Sequence, residues 1–153
     1  VQFLAESDEK FDVILVDSTD PVGPAEALFS EPFYHYARRA LTKDGVFVTQ
    51  SGSPLLMTDE LVRALQNMRA AFGSARPFLA FVPSYPGVVW SFSITSIGRD
   101  PVQVAAGDLS RRLAANGFRP VYYTPDVHLA SFALPRFLIA RLEDGQRIGP
   151  FDG

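Results

Sequence analysis

The chain has 153 residues, 47% of them hydrophobic and 20% charged, which suits one globular domain with a proper core. Fourteen Lys and Arg against seventeen Asp and Glu leave a net charge of −3, without the basic stripe that nucleic-acid binding requires. Cysteine is absent, which excludes disulfides, thiolate metal sites and Cys nucleophiles, and two His are too few for a His-rich metal site.

The apolar runs are broken well short of a membrane span, so no membrane contact is expected. Glu6, Asp8 and Glu9 interrupt any signal-peptide core near the start, and with the lack of cysteine this leads us to expect a cytoplasmic protein. The short apolar piece 1–4 runs straight into a charged turn, and reads as a segment cut from a longer domain.

Residues 13–16 are an unalternated Val-Ile-Leu-Val run and predict a strand buried on both faces. Asp17 stands where that strand leaves the sheet, and Pro21 and Pro24 delay any following helix. A helical turn over 25–29 precedes a helix over 33–41, with Ser30 as N-cap, Pro32 in the first turn, and Phe33, Tyr36, Ala37, Ala40 and Leu41 on its apolar face. Lys43-Asp44-Gly45 turns the chain into a second buried strand over 46–49. Strand, helix and strand form a unit whose crossover makes the two strands parallel. As direct neighbours about 4.8 Å apart, they would bring Gln50 to the same rim as Asp17.

Ser51-Gly52-Ser53-Pro54 reads as a loop, and Thr58 as the N-cap of a helix that carries Leu61, Leu65, Met68 and Phe72 and closes at Gly73. A strand over 77–82, a turn-rich loop with Tyr85, and a strand over 91–97 predict an antiparallel final pair. Trp90, the only Trp, reads as core. A helix over 109–116 ends at Gly117, an edge strand is expected over 121–123, and an apolar tail over 130–142 reads as a helix broken near Pro135. The whole is an α/β chain, half of a doubly wound sheet with an acidic rim.

Ligands of open α/β sheets bind beyond the carboxyl ends of the strands, where Asp17 and Asp20 are delivered. Two carboxylates held close repel unless a cation lies between them, and hard metals want more oxygen ligands, so an amine is the simpler partner. On pattern alone it reads equally well that Asp20 merely caps the turn and Asp17 faces water. Tyr85 between its prolines reads first as loop packing, and His35 and His128 as structural or solvated. The Gly-rich phosphate loop, the nucleophile elbow and paired His are all missing.

The run Asp17-Ser18-Thr19-Asp20-Pro21-Val22-Gly23-Pro24-Ala25-Glu26-Ala27-Leu28-Phe29 resembles the signature of the spermidine synthases, the polyamine aminopropyltransferases. Val82-Pro83-Ser84-Tyr85-Pro86-Gly87 with Trp90-Ser91-Phe92 resembles a second signature of that family. Tyr122-Tyr123-Thr124 followed by His128, Ala130, Phe132, Ala133, Leu134 and Pro135 resembles its C-terminal segment. The match runs in family order along essentially the whole chain.

The resemblance implies a methyltransferase-like Rossmann fold, mostly parallel with an antiparallel final strand, of which this chain would be the C-terminal part. It implies transfer of an aminopropyl group from decarboxylated S-adenosylmethionine, a co-substrate, to putrescine, with no cofactor and no metal. Under it Asp17 takes the proton from, or orients, the attacking amine; Asp20 binds the diamine, with Ser18 and Thr19 in the same segment. Tyr85 hydrogen-bonds the substrate amine, Gln50 lines the diamine channel, and Pro24, Ala25 and Leu28 pack on the adenine. A homodimer or homotetramer is implied for the full-length protein. The family usually carries Glu two residues after the matching Gln, where this chain has Gly52. Agmatine or cadaverine as acceptor, and a non-catalytic module that keeps the fold, stay open as alternatives.

Overall fold

The computed structural model describes residues 1–20, 23–85, 87 and 89–143. Pro21 and Val22 of the acidic motif, and Pro86 and Val88 of the loop before Trp90, lie outside the described residues. The strands are β1 (Phe11–Val16), β2 (Leu41–Gln50), β3 (Arg76–Phe81) and β4 (Val89–Ser96), and they form one mixed sheet in the order β1-β2-β4-β3. The helices are α1 (Gln2–Glu6), α2 (Glu31–Ala40), α3 (Thr58–Phe72), α4 (Ala106–Ala115), α5 (Pro125–Ser131) and α6 (Arg136–Glu143). Two short 3-10 segments, Gly23–Phe29 and Pro101–Gln103, complete the described elements.

β1 and β2 are parallel neighbours, as the β1-α2-β2 crossover requires, with Val16 opposite Thr49. β4 runs antiparallel to both β2 and β3, and is the reversed strand expected of the final pair. Side chains alternate between the faces of a strand, and the register therefore sorts the sheet. Ile14, Val16, Phe47 and Leu79 share one face and meet the core built from Phe33, Tyr34, Ala37, Leu61, Leu65, Met68 and Leu138. Val13, Leu15, Val48, Gln50, Phe92, Phe78 and Ala80 share the other. There Phe78 stacks on Phe92 at 5.3 Å and meets Phe132, just beyond α5, at 5.8 Å, so helical structure lies on both faces.

Several local expectations need correction. β1 is not buried on both faces: among the described residues it pairs only with β2, and Val13 and Leu15 are 54% and 71% exposed. β2 begins at Leu41 rather than at residue 46, and Lys43-Asp44-Gly45 lies inside it; the ladder is irregular where Phe11 and Val13 face Leu41 and Val46. Tyr34, not Tyr36, is the buried tyrosine of α2, because the helix is covered by α3 as well as by the sheet and its apolar stripe widens. Thr58 is the first residue of α3, and its hydroxyl donates to the Pro54 carbonyl at 2.8 Å instead of capping. Residues 121–123 form no strand: the preceding Pro120 lacks a donor, and the Tyr122 hydroxyl instead accepts from the Phe81 N–H at 3.1 Å on the edge of β3.

The punctuation of the chain is otherwise as expected. Ser30 caps α2, accepting from the Phe33 N–H, and Gly73 ends α3 in the left-handed conformation at φ 87°. The tail forms α5 and α6 with the break at Phe132–Pro135, and α4 begins three residues before the expected helix.

Candidate active site

The parallel pairing fixes the geometry of the rim. With Val16 opposite Thr49, the next residues, Asp17 and Gln50, leave the sheet side by side at its carboxyl end. Asp17, Gln50 and Tyr85 line one open cleft of about 590 Å³, whose floor is the Leu15, Val48, Phe92, Phe78 and Ala80 face of the sheet. Its rim is therefore polar and its floor apolar, the arrangement that seats a small molecule with a hydrocarbon body and polar ends.

Gln50 is buried and makes three hydrogen bonds through its side-chain amide. Its Nε2 donates to the Ser18 carbonyl at 2.9 Å. Its Oε1 accepts from the Gly52 N–H at 2.7 Å and from the Trp90 indole Nε1–H at 2.9 Å. Trp90 reads from sequence as core, and it is buried, but it also touches two rim residues: Tyr85 stacks on its ring at 4.2 Å with 18° between planes. Only the pairing of β4 beside β2 reveals this role, since Gln50 and Trp90 lie forty residues apart. A lone Trp at the start of a predicted strand carries no such signal.

Gly52 adopts φ 83°, a conformation glycine takes without strain. Its N–H serves Gln50, and its carbonyl accepts from the Ser91 N–H at 3.0 Å and the Ser91 hydroxyl at 2.7 Å. A side chain at this position would meet the Met57 sulfur at 3.1 Å from its Cβ, so glycine fits the local backbone. Below the loop, buried Ser51 and Ser93 share a 2.8 Å hydroxyl contact, and the Thr95 hydroxyl donates to the Ser74 carbonyl at 2.6 Å. These small bonded side chains let α3 lie close over β4.

Apart from Asp17, which lines the cleft, the remaining candidates fall beside it. Asp17 is exposed, Ser18 is half-buried with its carbonyl held by Gln50, and Thr19 is exposed. The Asp20 side chain is half-buried and is not among the residues lining the cleft. Pro24, Ala25 and Leu28 sit on the 3-10 segment that follows, outside the cleft lining, and Leu28 packs against the core. His35 is exposed beside Glu31 at 3.3 Å, while His128 is tied to the Tyr123 hydroxyl at 3.2 Å and the Pro101 carbonyl at 3.0 Å. Among the described residues no three His, Asp or Glu side chains group as metal ligands, and no helix is long and apolar enough to cross a membrane.

Residues 1–102 match the spermine/spermidine synthase domain. The polyamine aminopropyltransferase of Ruegeria sp. (strain TM1040) is 46% identical over 136 residues, which are 89% of this chain and 48% of the relative. That of Desulforudis audaxviator (strain MP104C) is 43% identical over 141 residues, 92% of this chain and 49% of the relative. Among solved structures, a spermidine synthase in complex with the transition state analogue AdoDATO superposes with a TM-score of 0.81 at 34% identity, covering 92% of this chain and 47% of that one. The spermidine synthase of Thermotoga maritima gives 0.78 at 33% identity, covering 92% of this chain and 46% of that one. The chain spans about half the length of the relatives it matches.

Proposed function

The chain belongs to the spermine/spermidine synthase domain family, and on that premise we propose that it is the C-terminal part of a single Rossmann-like catalytic domain that transfers an aminopropyl group from decarboxylated S-adenosylmethionine to putrescine. The products are spermidine and methylthioadenosine. The observation that carries this reading is the convergence of Asp17, Gln50 and Tyr85 on one cleft at the carboxyl ends of β1 and β2. The similarity to a spermidine synthase bound to a transition state analogue supports the same donor class.

In this reading a neutral amine nitrogen attacks the aminopropyl carbon next to the sulfonium. The new C–N bond forms as the C–S bond breaks, its electron pair passes to sulfur, and the leaving group departs as a neutral thioether. A leaving group that starts as a cation needs neither an acid nor a metal to help it go. The attacking nitrogen then sheds a proton. Free alkylammonium groups titrate near about 10.4 and ordinary carboxylates near about 3.9, so Asp17 acts mainly by positioning the amine, and the proton leaves late in the transfer. Asp20, Ser18 and Thr19 complete the acidic turn around the diamine, Tyr85 hydrogen-bonds an amine, and Pro24, Ala25 and Leu28 take the adenine. The full-length protein is read as a cytoplasmic homodimer or homotetramer.

The test is turnover of putrescine by the full-length protein, beside agmatine and cadaverine as competing acceptors. Asp17→Asn is expected to lower kcat by about a hundredfold or more while methylthioadenosine still binds. Full activity in that variant removes Asp17 from its role. Calorimetric binding of methylthioadenosine to the full-length protein also counts against a non-catalytic module.

A further inference from the structure

Gln50 lies in the cleft, yet its bonds leave it little to offer a substrate. Both donors to its Oε1, the Gly52 N–H and the Trp90 indole N–H, can only donate, and the Ser18 carbonyl that its Nε2 meets can only accept. Reversing the amide would set donor against donor and oxygen against oxygen at all three contacts, so the partners fix its orientation. An amide oxygen has two lone pairs and both are taken, which leaves a single N–H. An ammonium has donors alone. Gln50, as held, gives a protonated amine no acceptor.

What Gln50 does instead is tie segments together. Through one amide it joins the end of β2, the Gly52 loop, the start of β4 and the carbonyl next to Asp17. We propose that Trp90 is a positioning residue whose indole N–H locks the Gln50 amide, so that Gln50 holds the Asp17 turn in register, and the carboxylates of that turn grip the cationic amine. The proposal rests on the aminopropyl-transfer reading above and assigns Gln50 a different part in it. Tyr85, stacked on the same indole ring, is set by the same residue. Loss of the indole N–H frees the Gln50 oxygen, loosens the Ser18 carbonyl and displaces Asp17, and small displacements of a reacting group are costly.

Two variants of the full-length protein test this. Trp90→Phe keeps a ring beneath Tyr85 and removes the donor; kcat/KM for putrescine is expected to fall roughly tenfold, the value of one lost hydrogen bond, with KM for the aminopropyl donor unchanged. A matching rise in KM for the aminopropyl donor, or no loss of kcat/KM for putrescine, overturns the proposal. Gln50→Glu sets a carboxylate oxygen against the Ser18 carbonyl and is expected to weaken putrescine binding, whereas a Gln50 that contacted the ammonium directly would bind tighter with the added charge. Tighter binding therefore overturns it. A readout independent of activity is exchange of the Trp90 indole proton followed by NMR, its signal assigned by Trp90→Phe. Exchange is expected to be slow in the unaltered protein and much faster in Gln50→Ala; equal rates show that no lock exists. Should the unaltered protein transfer to no amine, the proposed reaction fails, and the exchange rates still decide whether the lock is real.

Discussion

The Tyr34 hydroxyl is buried with no hydrogen-bond partner among the described residues, although its ring packs edge-on to Phe47 at 5.7 Å. An unpaired buried hydroxyl costs about 1–3 kcal/mol of desolvation. Tyr34→Phe is therefore expected to leave stability at neutral pH unchanged or raised. Burial also pushes the Tyr34 phenol well above its ordinary value. The neutral phenol contributes its full stability below about pH 10, where tyrosine in the unfolded chain stays protonated. Above that the unfolded chain binds fewer protons than the folded one, and stability falls as pH rises. Urea midpoints at about pH 8 and pH 11 should show a smaller alkaline loss for Tyr34→Phe than for the parent; equal losses would assign the effect to another group. Sequence periodicity misses Tyr34 because it weighs one face of α2, whereas two neighbours cover that helix.

At the scale of elements, the local signals that held are those whose chemistry is complete within a few residues. Ser30 joins the 3-10 segment to α2, donating to the Ala27 carbonyl at 2.8 Å and accepting from the Phe33 N–H at 3.4 Å. Ser30→Ala is expected to cost about 1 kcal/mol, read from the urea midpoint at unchanged slope; a cost near zero would mean the long 3.4 Å contact carries nothing. Gly73 likewise ends α3 by its own backbone freedom. Elements whose existence depends on a distant partner were read less well. The expected strand over 121–123 meets the edge of β3 through the Tyr122 hydroxyl instead of a backbone ladder, and β2 started early because Leu41 found Phe11 across the ladder.

Across the whole molecule, the two faces of the sheet differ in what lies against them. Phe47 is fully buried between the sheet and its helices, while Val13 on the opposite face of β1 is 54% exposed. Phe47→Ala is expected to cost about 3–5 kcal/mol. The near-isosteric Val13→Thr is expected to stay within about 0.5 kcal/mol. Comparable losses at the two positions, measured by chemical denaturation, would mean that the Val13 face is covered in solution. The same asymmetry gives the cleft an apolar floor, since Leu15, Val48 and Phe92 belong to that second face.

The sequence by itself determined the α/β class, the parallel β1-β2 pair and the rim shared by Asp17 and Gln50, because hydrophobic runs, caps and the handed crossover are local rules. Its motifs also placed the chain in its family. Only the tertiary structure decided that β1 keeps one open face, that Tyr85 joins the cleft, and that Trp90 reaches Gln50. Each of these depends on β4 lying between β2 and β3 or on what covers a sheet face. Such pairings between distant segments leave no period in the residues that make them.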